Sequence, residues 1–124
     1  MGFPRALTEH EREVLLLLLP REGFEDVDVY RAQVDAATVT GMCSCGCATI
    51  NLEVDPDAPA ATFVGTPLLP TEAHGRDPSD PSLPIEIILF AREGTLESLE
   101  IVYYGDRPPK DFPAAHDLKT VTVR

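Results

Sequence analysis

From Ile85 to Phe90 the chain is apolar on both sides of a period-two pattern: Ile85, Ile87 and Leu89 point one way, Ile88 and Phe90 the other. A strand of that kind buries both faces, which places it in the interior of a sheet. Glu93-Gly94 supplies the turn that follows, and Leu96, Leu99, Ile101 and Tyr103 mark a return strand. The step of three from Leu96 to Leu99 breaks the period and predicts a bulge. The expectation is a central strand over Ile85 to Ala91, paired antiparallel with a partner near Leu96 to Tyr104.

An earlier hairpin is written between Ala37 and Val54. Ala48, Ile50, Leu52 and Val54 alternate with Thr49, Asn51 and Glu53, the pattern of a strand with one wet face. Closing the turn at Cys45-Gly46 sets Cys43 opposite Ala48, Gly41 opposite Ile50 and Val39 opposite Leu52, so the apolar members share a face. In this register Cys43 points inward, Cys45 sits at the tip and Cys47 points outward. Thr120 to Val123 reads as a last edge strand.

Helical signals precede the strands. Thr8-Glu9-His10-Glu11 has the spacing of a capping box, and a leucine-rich helix should follow and stop near Pro20. A second helix is predicted from about Glu25 to Val34, where Val27, Tyr30 and Val34 form one stripe. Arg31 and Gln33 on it either line a site or form a solvated face. The segment from Asp55 to Pro84 carries seven of the 12 prolines and reads as a long surface loop, with a short edge strand near Thr62 to Val64. Together these give an α+β fold: two N-terminal helices packed on one antiparallel sheet of about five strands built from two hairpins. Residues 1–124 form a single domain with a proline-rich loop at about 55–84.

Composition narrows the function. The net charge is −11, from 21 acidic and 10 basic residues, a field that repels nucleic acid and anionic membranes. It suits solubility, and any protein partner should be basic. The run Val14 to Leu19 is too short for a membrane span and follows an acidic stretch, so neither export nor an anchor is expected. Three cysteines is an odd number, which favours a reducing cytoplasm over a paired secreted scaffold. No P-loop, His-Glu-x-x-His, Gly-x-Ser-x-Gly or dinucleotide fingerprint occurs, and the acidic residues show no acid/base spacing. A non-catalytic protein is favoured.

All three thiols fall in Met42-Cys43-Ser44-Cys45-Gly46-Cys47. If the loop curls so that the sulfurs converge, thiolates would select zinc or Cu(I), with zinc expected and His74, His116 or water as fourth ligand. Otherwise Cys43 packs in the core and the others merely occupy a turn. A redox thiol is the third reading; no basic neighbour lowers a cysteine pKa, and the acidic surroundings should raise it.

The order of Tyr30-Arg31-Ala32-Gln33, Cys43-Ser44-Cys45-Gly46-Cys47, Leu52-Glu53-Val54-Asp55 and Glu93 to Ile101 resembles a group of short acidic proteins from high-GC, actinobacterial-type bacteria. That resemblance implies no catalytic residues. The hairpin at Glu93-Gly94 is also similar to hairpins in small immunity proteins that neutralise toxins, an analogy of fold. The function expected is that of a small soluble acidic binding or inhibitor-type protein, or of a zinc-binding protein using Cys43, Cys45 and Cys47.

Overall fold

A computed structural model describes residues 2–21, 24–62 and 68–122. A two-residue strand β1 (Arg5–Ala6) leads into helix α1 (Glu9–Leu17). The capping box forms as the spacing predicts: Glu11 N–H donates to the Thr8 hydroxyl at 3.0 Å, and Thr8 N–H donates to the Glu11 carboxylate at 2.9 Å. Two otherwise orphaned donors are thereby satisfied. Val14, Leu15, Leu18 and Leu19 are fully buried. The helix ends before Pro20, which could supply no N–H.

Helix α2 (Val27–Val34) follows, with Val27, Tyr30 and Val34 in the core as their spacing predicts. Neither of its polar candidates lines a site. Arg31 donates to the Leu19 and Leu16 carbonyls, tying α2 to the end of α1. Gln33 is wholly buried, so the solvated-face reading fails for it. Its amide donates to Pro59 O and Gly94 O, and its oxygen accepts Leu96 N–H.

Five further strands complete the sheet after β2 (Ala37–Met42): β3 (Ile50–Val54), β4 (Leu68–Asp77), β5 (Asp80–Arg92), β6 (Thr95–Tyr103) and β7 (Lys119–Thr122). Their order is β1-β2-β3-β6-β5-β4-β7, with antiparallel pairing throughout. The α+β class stands, with seven strands among the described residues where about five were expected. The strand Ile85 to Ala91 is interior, between β6 and β4, and the bulge falls opposite Phe90 and Ala91. Of the last strand, Val123 lies outside the described residues, as do Phe63 and Val64 of the expected edge strand.

The loop expected over 55–84 is corrected: residues 68–77 and 80–84 are strand. The prolines are tolerated because of where they lie. Pro70 falls in a register irregularity between Leu68 and Glu72, where ladder bonds are interrupted. Pro81 and Pro84 belong to the part of β5 that runs beyond β6, whose pairing begins at Ile85. A missing N–H on that side deprives no neighbour.

One face of the sheet carries the core. Val39, Ile50, Leu52, Ala73, Ile85, Ile87, Leu89, Leu99 and Ile101 pack with the apolar stripes of both helices. The opposite face is open: Glu72, Glu86, Ile88, Phe90, Glu100 and Val102 are all half-buried there. Among the described residues no helix is long and apolar enough to cross a membrane.

Candidate metal centre

The loop between β2 and β3 holds the thiols, and its register explains their placement. Val39 faces Leu52 as expected, but Gly41 faces Asn51 rather than Ile50, because Thr40 is an extra residue on β2. One inserted residue reverses the inward and outward parity of everything beyond it. Met42 is therefore the residue opposite Ile50, and the two-residue closure at Cys45-Gly46 does not form.

Instead Cys43 N–H donates to Thr49 O at 3.2 Å, and Gly46 N–H donates to Cys43 O at 3.1 Å. The second bond closes a four-residue turn, Cys43 to Gly46, inside a longer loop. Gly46 takes φ +92°, a conformation that other residues rarely adopt. Beyond it the chain descends into the core: Cys47 and Ala48 are each 3% exposed and Ile50 is fully buried. Thr49 pins this leg, since its hydroxyl accepts Ile101 N–H from β6 at 3.0 Å.

The result corrects one expected orientation, that of Cys47, which was to point outward, while Cys43 still packs against the core and Cys45 still sits at the tip. Cys47 is the buried thiol, Cys45 is exposed at the tip, and Cys43 is half-buried. All three sulfurs lie within 4.8 Å of one another. The Cys43 thiol sits 3.0 Å from the Cys45 sulfur, and Cys47 N–H donates to that sulfur at 3.4 Å. The cluster is convergent.

Its electrostatics come from hydrogen bonds rather than from charges. Cys45 is held down to about 7, chiefly by the Cys43 thiol, then by the Cys47 thiol and N–H, with a smaller pull from the Tyr103 hydroxyl. Hydrogen bonds to a charged form favour that form. The expectation that acidic surroundings would raise this cysteine is overturned. Cys43 moves the other way: as the donor toward Cys45 it is stabilised in its protonated state. The Tyr103 phenol is raised for the same reason, by its hydrogen bond to Cys45.

Neither histidine reaches the thiols. His74 lies on β4, with Nε2 2.8 Å from the Glu72 carboxylate and Glu86 close by. Its register neighbour on β7 is Lys119. His116 is exposed in a 3-10 turn beside Asp117, at 3.5 Å. Among the described residues no histidine or carboxylate joins the sulfurs within 4.8 Å.

Two residues that sequence reasoning did not assign to the cluster shape it: Tyr103, which reaches it from β6, and Thr49, which anchors the loop. Both act through cross-strand proximity, which nothing local in the sequence marks. No family model, curated protein or solved structure matches this chain.

Proposed function

We propose that the chain is a small non-catalytic binding protein that holds a zinc ion on Cys43, Cys45 and Cys47. The observation that supports this is the convergence of three sulfurs within 4.8 Å on a loop pinned at both ends. Metal–sulfur bonds of about 2.3 Å in a tetrahedron put sulfurs about 3.8 Å apart, a spacing close to that of this cluster. Soft thiolates favour zinc or Cu(I) over oxygen-seeking cations. Among the described residues no histidine or carboxylate offers a fourth ligand, so water would complete the site. Cys47 N–H is directed at the Cys45 sulfur and would support it from outside the ligand set.

Cobalt substitution tests this reading. Metal-free, reduced protein titrated with Co²⁺ should develop sulfur-to-metal charge-transfer absorption that saturates at a single ion per chain and is displaced by Zn²⁺. Absence of that band would contradict the proposal.

The open sheet face supports a second reading, docking of a basic protein partner. Glu72 and Glu100 flank Ile88 in register across the neighbouring strands, and Glu86 lies two residues before it on the same face. An apolar centre with an acidic rim complements a basic surface. A lysine-rich peptide used as a probe should shift the amide resonances of β4, β5 and β6 and leave α1 unchanged. Shifts spread evenly over the surface would refute a docking face.

A further inference from the structure

We infer that Cys43 and Cys45 form a thiol–disulfide exchange pair that reacts with small-molecule disulfides, with Cys45 attacking, Cys43 resolving and Cys47 held apart. The exchange chemistry goes beyond the metal reading and does not depend on it.

Geometry assigns the roles. The Cys43 and Cys45 sulfurs are 3.0 Å apart, closer than the roughly 3.8 Å that shared zinc ligation asks of two thiolates. Cys45 is exposed at the turn, so an external disulfide reaches it first. Cys47, 3% exposed beneath the loop, is shielded from the same approach. Cys43 is half-buried, screened from solvent disulfides yet in contact with the sulfur it must attack.

The electrons balance in two displacements. The Cys45 thiolate attacks one sulfur of R–S–S–R; that bond breaks, RS⁻ leaves and takes a proton from solvent, and Cys45 is left as a mixed disulfide. Cys43 then gives its proton to solvent and attacks the Cys45 sulfur. The Cys45–SR bond breaks and the second RS⁻ leaves. Two protein thiols are oxidised by two electrons, and the external disulfide is reduced to two thiols.

The product bond spans a single intervening residue, Ser44, so it removes little freedom from the unfolded chain and adds little stability. An exposed bond of that kind is easily reduced, the property of a labile pair rather than a structural one. The Cys47 N–H aimed at the Cys45 sulfur stabilises that sulfur whenever it departs as a thiolate during reduction. If the zinc reading also holds, oxidation removes two of three ligands and releases the ion.

The test uses metal-free, reduced full-length protein incubated with oxidised glutathione, quenched in acid, alkylated and weighed intact. Wild type should lose two hydrogens and keep one alkylatable thiol, which peptide mapping places at Cys47. Cys43→Ser should instead accumulate glutathione on Cys45, and Cys45→Ser should form no internal bond. Three thiols still alkylatable in wild type, a mixed disulfide persisting there, or a bond to Cys47 would each overturn the inference. Because no metal enters the assay, its failure leaves the zinc reading untouched. Failure of the cobalt titration likewise leaves the exchange pair untouched.

Discussion

Gln33 on α2 clamps the β5–β6 turn: its side-chain oxygen accepts Leu96 N–H at 2.9 Å while its amide donates to Gly94 O at 2.8 Å. A third bond, to Pro59 O at 2.9 Å, brings in the segment that precedes β4. Gln33→Ala would leave Leu96 N–H buried and unpaired, while Gly94 O keeps the Ala61 N–H and Pro59 is exposed, so the cost should be roughly 1–3 kcal/mol. Gln33→Glu should be worse, since it sets a carboxylate against two carbonyl oxygens. Thermal denaturation should rank wild type above the alanine variant and the alanine variant above the glutamate one.

Ile87 and Ile88 are adjacent on β5 yet should respond very differently to the same substitution. Ile87 is fully buried in the core, whereas Ile88 is half-buried on the open face. Ile87→Asp buries an unpaired charge and should cost more than about 4 kcal/mol. Ile88→Asp should cost roughly 1–2 kcal/mol, from lost packing and the nearby Glu72 and Glu100. Denaturant midpoints compare the two, and equal losses would refute the one-sided core.

The ion pair between Arg5 and Glu11 should make stability depend on acid. Burial pushes the Glu11 carboxyl up, but the Arg5 guanidinium, bonded to both its oxygens at 2.9 Å, and the Thr8 N–H outweigh it and leave it below its usual value of 4.5. A depressed carboxyl contributes stability above its unfolded pKa and loses it as pH falls through the folded one. Glu11→Gln should therefore melt below wild type at neutral pH, with the gap closing as pH drops beneath the ordinary carboxylate range. A gap that does not change with pH would point to packing instead.

In metal-free protein Cys45 should alkylate fastest of the three thiols, with a rate that rises through a midpoint near the value of about 7 set by its hydrogen bonds. Tyr103→Phe removes one donor to the thiolate, so the midpoint should move up. Iodoacetamide labelling at a series of pH values, read by peptide mass, measures both. An unshifted midpoint would show that the Tyr103 hydroxyl does not act on this sulfur.

What the sequence made legible was local. The capping box at Thr8 and Glu11, the stripe of Val27, Tyr30 and Val34, and the bulge between Leu96 and Leu99 depend on spacing within one element. Strand β4 was hidden because the effect of a proline depends on whether a neighbouring strand needs its N–H, which is a tertiary matter. Thr40 shifts the register of β2, so the short turn does not close. Cys47 is buried because the leg before β3 is not strand and sends the consecutive residues Cys47 and Ala48 both into the core. The gathering of the thiols was readable. Their approach to Tyr103, from a strand far along the chain, was not.

Metal content tests the thiol centre most directly. Protein purified without a metal-affinity tag, kept reduced and desalted, should carry a single zinc ion per chain by elemental analysis, and Cys45→Ser or Cys47→Ser should carry none. Copper in place of zinc would keep the site and change its ion. Folded wild-type protein with no bound metal and three freely alkylatable thiols, even after incubation with Zn²⁺, would contradict it.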